Sequence, residues 1–204
     1  MVRCKVIGII GGVGSGKSLA VDYMKNNYKA YIIKADDVAR KLYRKGSNGY
    51  KAVTRICGRE ILDKNCNINR KKLADILYND ESVRVKINNA IHPIVYAKIH
   101  ELINIYSRKY PLGFIVYEAA LLPDDIYSIC DEVWYVFANE DVRIERLIKY
   151  RHYDRKLCEQ IISSQPSSED YENVCSHIIE NNTSPEEMED RIDEIIKYSQ
   201  WKQR

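Results

Sequence analysis

The run Gly11-Gly12-Val13-Gly14-Ser15-Gly16-Lys17-Ser18 fits the pattern GxxxxGK[ST] in full. Each residue type has a chemical reason to be there. The glycines let the backbone curl so that successive amide N–H groups converge on phosphate oxygens, Lys17 adds a point charge, and Ser18 offers a hydroxyl to Mg2+. The implied ligand is a nucleoside triphosphate. An ordinary glycine turn is the competing reading. The context opposes it: the apolar run Val6-Ile7-Gly8-Ile9-Ile10 precedes the loop, and Leu19-Ala20-Val21-Asp22-Tyr23-Met24 reads as helix after it.

A phosphate loop does not say what is done with the phosphate, so acids and bases at the ends of other strands become the candidates, because ligands of parallel sheets collect at their carboxyl ends. Asp36 follows Tyr31-Ile32-Ile33-Lys34-Ala35, and Glu118 follows Phe114-Ile115-Val116-Tyr117. Asp36 could take the proton of an attacking hydroxyl or cap the helix that begins with Asp37-Val38. Glu118 could hold Mg2+ through water or simply close its strand as a solvated carboxylate. Arg143, Arg146, Arg151 and Arg155, with Lys149 and Lys156, lie on a helical pattern. Such a run reads either as a solvated face or as guanidinium donors for a moving phosphoryl group, and Arg143 and Arg146 share a helix face. Arg40, Lys41, Arg44, Lys45, Arg70, Lys71 and Lys72 could meet an acceptor that itself carries phosphates, or serve only solubility. His92, beside Pro93, reads as a helix cap, a core histidine or an anion contact.

The elements that must position these groups are legible as apolar runs at Cys4 to Ile10, Tyr31 to Ile33, Gly113 to Tyr117, Glu132 to Phe137 and His177 to Ile179. Strands alternating with helices predict an α/β fold with a parallel five-stranded sheet covered on both faces, a three-layer arrangement. The stretch between Asp36 and Gly113 is far longer than a βαβ crossover needs, so it holds an insertion. Three- and four-residue apolar spacing predicts helices there at Lys71 to Tyr78, Val83 to Ala90 and Pro93 to Tyr106, with His92-Pro93 marking a helix start. Thr183-Ser184-Pro185-Glu186-Glu187 announces a last helix running to about Tyr198.

The 204 residues, 45% apolar, suffice for one core with an insertion. No apolar window approaches a membrane span, and the N-terminus runs directly into a strand, so a cytoplasmic protein without membrane contact is expected. Six cysteines stand apart without a CxxC pair, which excludes a locally built zinc or redox motif. A net charge of +3 from 32 basic and 29 acidic residues excludes a nucleic-acid footprint over the whole surface.

The order of motifs resembles the dephospho-CoA kinase family along nearly the whole chain. The residues that carry the resemblance are IGIIGGVGSGKS at the start, ADDVAR at 35–40, Cys57-Gly58 with Ile61-Leu62, and Asn69-Arg70-Lys71-Lys72-Leu73. NNAIHP at 88–93, EAALL at 118–122, Arg143 to Arg146, Gln165 and IIENN at 178–182 complete the set. The resemblance implies a P-loop NTPase fold. Its nucleotide-binding core would comprise residues 1–40 and 113–204, with a helical acceptor domain at 41–112 and a helical lid at 139–170. It also implies transfer of the ATP γ-phosphate to the ribose 3′-hydroxyl of dephospho-CoA. Asp36 would be the general base, with Lys17, Arg143 and Arg146 aiding transfer. Gly12, Gly14, Ser15, Gly16, Lys17, Ser18, Leu19 and Asn181 would bind ATP, Ser18 would hold Mg2+, and Arg40, Arg70, His92, Glu118 and Leu121 would bind the acceptor. A monomer or small homo-oligomer is expected.

Three departures stand out. The family's Asp-Ala-Asp reads Lys34-Ala35-Asp36, its Pro-Leu-Leu reads Ala120-Leu121-Leu122, and the usual lid Arg-Asp positions hold Tyr150 and Arg151. The alternative reading is a P-loop kinase acting on a nucleoside or nucleoside monophosphate. A GTPase switch lacks support, since there is no NKxD and no DxxG after a strand.

Overall fold

Near-continuous β-branched and aromatic runs favour strands buried on both faces, and they build the sheet. The computed structural model describes residues 4–119 and 126–199. In chain order the elements are β1 (Lys5–Ile10), α1 (Lys17–Asn27), β2 (Tyr31–Lys34), α2 (Ala35–Leu42), α3 (Asn48–Cys57), α4 (Arg70–Asn79), α5 (Glu81–Lys109) and β3 (Phe114–Glu118). They continue with α6 (Ile126–Ile129), β4 (Glu132–Phe137), α7 (Glu140–Arg151), α8 (Arg155–Ser163), α9 (Ser168–Glu172), β5 (His177–Glu180) and α10 (Pro185–Tyr198). The five strands lie in the order β2-β3-β1-β4-β5, every pair parallel. β1 is central, so the loop that leaves its carboxyl end sits where connections depart to both sides, the position at which such sheets bind ligands.

Alternation along β1 separates the two faces. Ile7 and Ile9 share a core with Ala20, Val21 and Met24 of α1 and with Met188, Ile192, Ile195 and Ile196 of α10. Gly8 points the other way, where a Cβ would come 2.9 Å from Cys130 Sγ and 3.2 Å from Ile126 Cδ1, so only glycine lets that layer close. On the same strand layer Tyr135 stacks on Tyr171 of α9, ring centroids 5.0 Å apart. Ser184 caps α10 by accepting from the Glu187 N–H at 3.3 Å, with Pro185 in the first turn, as the sequence announces.

Contacts divide the chain into a sheet unit, up to Lys34 and from Ile103 onward, and a helical unit, Ala35–Leu102. α2 therefore packs with the helices, and residues 103–112 with the sheet, a different partition from the one at 40/41 and 112/113. The helical unit has its own core of Val53, Cys57, Ile61, Ile68, Leu73, Ile87 and Ile91.

One expectation is corrected. The helices anticipated at Val83 to Ala90 and Pro93 to Tyr106 are one helix, α5, and Pro93 lies inside it rather than at its start. A proline in a helix interior costs about 3 kcal/mol. Ile87, Ile91 and Ile99, all buried, recur at helical spacing on both sides of Pro93, and burial of that stripe outweighs the break. No helix among the described residues is long and apolar enough to cross a membrane.

Candidate active site

Beyond Ile10 the chain turns through Gly11 (φ 144°), Gly14 (φ 78°) and Gly16 (φ 102°), conformations that side chains with a Cβ rarely adopt. At Gly12 the constraint is space instead: a Cβ there would push the Arg143 guanidinium out of its present position. α1 then starts at Lys17 with no side-chain cap and no acid in its first turn. Its positive dipole end is left for an anion. Ser15 is 1% exposed, and its Oγ has no hydrogen-bond partner among the described residues, an orphan that a ligand oxygen would satisfy. Ser18 and Leu19 stand exposed on the first turn of α1.

The loop carbonyls face a row of cations. Lys17 Nζ donates to Gly11 O (2.6 Å) and Gly12 O (3.0 Å), Arg143 Nε to Val13 O (2.9 Å), and Arg146 Nη1 to Gly14 O and Ser15 O (both 3.4 Å). Every carbonyl from Gly11 to Ser15 thus accepts from one of three cations. Arg143 and Arg146 reach the loop together because they lie one turn apart on α7, the shared face anticipated from their spacing. Burial pulls the Arg143 guanidinium pKa down, while Tyr135, Tyr171 and Glu140 act in the opposite direction. Asn181, 1% exposed at the end of β5, donates from Nδ2 to Ser15 O (2.8 Å) and accepts at Oδ1 from Arg146 Nη2 (3.2 Å). Its buried amide braces the loop. Arg151, by contrast, ends α7 on an exposed position.

Glu118 is not a solvated carboxylate. β2 and β3 pair with Lys34 opposite Glu118, and Lys34 Nζ lies 3.1 Å from Glu118 Oε2, with side-chain exposures of 36% and 14%. The approach is angled, so Oε2 gains ion-pair attraction without an aligned hydrogen bond. Asp36 follows in the first turn of α2, exposed.

A family model described as dephospho-CoA kinase matches residues 5–187. The chain belongs to the dephospho-CoA kinase family. It is 29% identical over 191 residues to dephospho-CoA kinase of Lactobacillus johnsonii, covering 94% of this chain and 96% of that one. It is 28% identical over 193 residues to the Staphylococcus aureus enzyme, covering 95% and 92%. Among solved structures, a Thermus thermophilus protein aligns with a TM-score of 0.75 at 19% identity over 97% of this chain and 98% of that one. Dephospho-CoA kinase from Campylobacter jejuni aligns with 0.63 at 19% over 95% and 96%. Shikimate kinase from Acinetobacter baumannii aligns with 0.56 at 15% over 95% and 93%. These neighbours share the three-layer α/β fold with the parallel five-stranded sheet.

Within the helical unit of this dephospho-CoA kinase family member, Arg40, Arg44 and Arg70 line a cavity of about 400 Å³ whose apolar wall includes Tyr43, Ile68, Leu73 and Leu77. Arg40 also pairs with Asp37 at 3.5 Å. The cavity brings Arg40 and Arg70 together but not His92, which is exposed on α5 and no part of the lining. Leu121 lies outside the described residues. Arg44 counts in the sequence only as one of several basic residues that could meet a phosphate-bearing acceptor, and its four-residue spacing from Arg40 is the signal that singles it out. Gln165 was matched without a function. Among the described residues no cluster of His, Cys, Asp or Glu could hold a metal ion. A kinase binds Mg2+ through few protein oxygens and the substrate phosphates, and the Ser18 hydroxyl is exposed on the first turn of α1.

Proposed function

We propose that the chain transfers the γ-phosphoryl group of ATP to the ribose 3′-hydroxyl of dephospho-CoA, giving CoA and ADP, the last step of CoA synthesis. Membership of the family carries the reaction. The mechanism rests on one observation above all, the anchoring of the carbonyls of Gly11 to Ser15 on Lys17, Arg143 and Arg146. With its carbonyls turned to the cations, the loop can aim at the triphosphate amide N–H groups other than those of Val13 and Ser15, which bond Gln165 Oε1 and Gly12 O, and the cations balance charge that spreads over the γ-phosphoryl oxygens during transfer.

The acceptor oxygen forms a bond to Pγ as the bond from Pγ to the β-phosphate oxygen breaks, and the acceptor's proton passes to the Asp36 carboxylate. Mg2+, held at Ser18, would supply charge neutralisation on the phosphates. Arg40, Arg44 and Arg70 bind the diphosphate of dephospho-CoA, and the wall of Tyr43, Leu73 and Leu77 takes its pantetheine arm. Six free cysteines, four of them buried, support a reducing, cytoplasmic setting.

The test is ADP formation from MgATP with and without dephospho-CoA, with Asp36→Asn as the paired control. Stimulation by the acceptor that falls by about 10²-fold or more in the variant is expected. No stimulation, with ATP binding intact, would reject the acceptor and direct attention to nucleoside monophosphates.

A further inference from the structure

Gln165 follows α8, its backbone N–H bonded to Ile162 O at 3.1 Å, and its side chain turns toward the phosphate loop. Oε1 accepts from two donors, the Val13 N–H at 2.9 Å and Arg143 Nη2 at 2.8 Å. Arg143 Nε in turn donates to Val13 O at 2.9 Å. Both backbone polar groups of Val13 are thereby gripped by the same pair of side chains. The Val13 side chain packs on Ile144, Leu147, Cys158 and Ile162, the small core between α7 and α8. The tip of the loop and the base of the helical hairpin form one packed piece.

We infer that Gln165 is a positioning residue for phosphoryl transfer, acting through Arg143. A guanidinium on a long flexible stem loses substantial rotamer freedom when fixed. Two bonds from Arg143, to Val13 O and to Gln165 Oε1, fix its plane beside Gly12 before any nucleotide arrives. Gln165 touches no reacting atom in this account. Its carbonyl oxygen keeps the guanidinium facing the loop and occupies the Val13 N–H, so neither group has to reorganise during transfer. A neutral amide suits the task better than a carboxylate, whose charge would cancel that of Arg143. The inference rests on the reading of Arg143 as a contact of the transferring phosphoryl group.

A double-mutant cycle of Arg143→Ala and Gln165→Leu, followed by kcat, the two KM values and thermal unfolding, tests it. Arg143→Ala is expected to lower kcat by about 100-fold, the scale of losing one preorganised donor. Gln165→Leu is expected to lower kcat about tenfold in the parent and less than about twofold in the Arg143→Ala background, with KM for dephospho-CoA unchanged. Gln165→Asn withdraws the acceptor by one methylene while staying polar, and serves where the leucine variant fails to fold; its smaller loss must vanish in the same background. Equal losses of kcat in both backgrounds, or none in either, overturn the positioning role while leaving Arg143 in place. An unimpaired Arg143→Ala enzyme overturns the role of Arg143 and this inference with it.

Discussion

Replacing Lys34 by methionine should destabilise the sheet unit through Glu118 alone. At 3.1 Å two unit charges attract by about 5 kcal/mol at an effective dielectric constant of about 20. The net value is smaller, because both groups lose hydration and Lys34 keeps 36% of its side-chain exposure. Fully exposed pairs contribute about 0–1 kcal/mol, and breaking a buried pair costs about 3–5 kcal/mol. With Glu118 at 14% exposure and Lys34 at 36%, about 2 kcal/mol is the reasoned loss. For a chain of this size that lowers Tm by about 4–8 °C. Methionine preserves most of the stem, so lost packing contributes little. The decisive comparison adds Glu118→Gln, which removes the stranded charge. The double variant should unfold about 1–2 kcal/mol later than Lys34→Met alone, although it carries one more substitution. Thermal unfolding at low and moderate salt measures all four proteins, and the partly buried pair should respond only weakly to salt. A Lys34→Met protein as stable as the parent, or a double variant no more stable than Lys34→Met, would refute the argument.

Three further outcomes are expected. Asn181→Ala removes the buried brace between Ser15 O and Arg146 and should cost about 1–3 kcal/mol of stability and raise KM for ATP about tenfold, read by thermal unfolding and ATP titration. Arg44→Ala should raise KM for dephospho-CoA about tenfold with KM for ATP within about twofold, the signature of a charge-assisted contact on one substrate only. Tyr23 and Tyr28 both donate to Asp193 Oδ1, at 2.8 and 2.7 Å; burial, then Asp193, pushes Tyr23 up from 10.0 to about 12 and Tyr28 upward as well. The folded state then keeps protons that the unfolded chain has lost, so stability present below pH 10 falls as pH rises toward 12, and Tyr23→Phe/Tyr28→Phe should flatten that fall in denaturant titrations.

What the sequence disclosed follows from which interactions are local. The three central strands were readable because parallel strands buried on both faces have to be apolar throughout, as Val133-Trp134-Tyr135-Val136-Phe137 is, and the partly buried edge strands β2 and β5 were readable as short apolar runs. The phosphate loop was readable because steric and φ constraints force glycine at fixed intervals. α10 was readable because its cap, proline and first-turn acids are contiguous. Continuity of α5 through Pro93 was not, since it depends on Ile87 and Ile91 meeting a core supplied by other helices and on burial of Ile99 beyond the proline. The partner of Lys34 was hidden for the same reason: it lies across a β2–β3 pairing whose strands are separated by the whole helical unit. Gln165 was matched as a residue, but its function depends on Val13 and Arg143, both distant in sequence.

The replacement of an expected acid by Lys34 makes electrostatic sense once these pieces are combined. Arg143 and Arg146 rest on neutral carbonyls of the loop, bonds that leave their positive charge uncancelled for an arriving triphosphate. Charge-assisted bonds to phosphate are roughly twice as strong as bonds between neutral groups, which favours the nucleotide over water at little reorganisation. Glu118 works against this arrangement. It is the register partner of Ile9, beside the strand that launches the loop, and an unbalanced carboxylate there would repel the phosphates. Lys34, reaching across from β2, cancels that charge within the sheet edge itself. The substitution thus removes an acid and pairs a second, Glu118, with a cation; under the proposed mechanism Asp36 is the acid left to receive a proton.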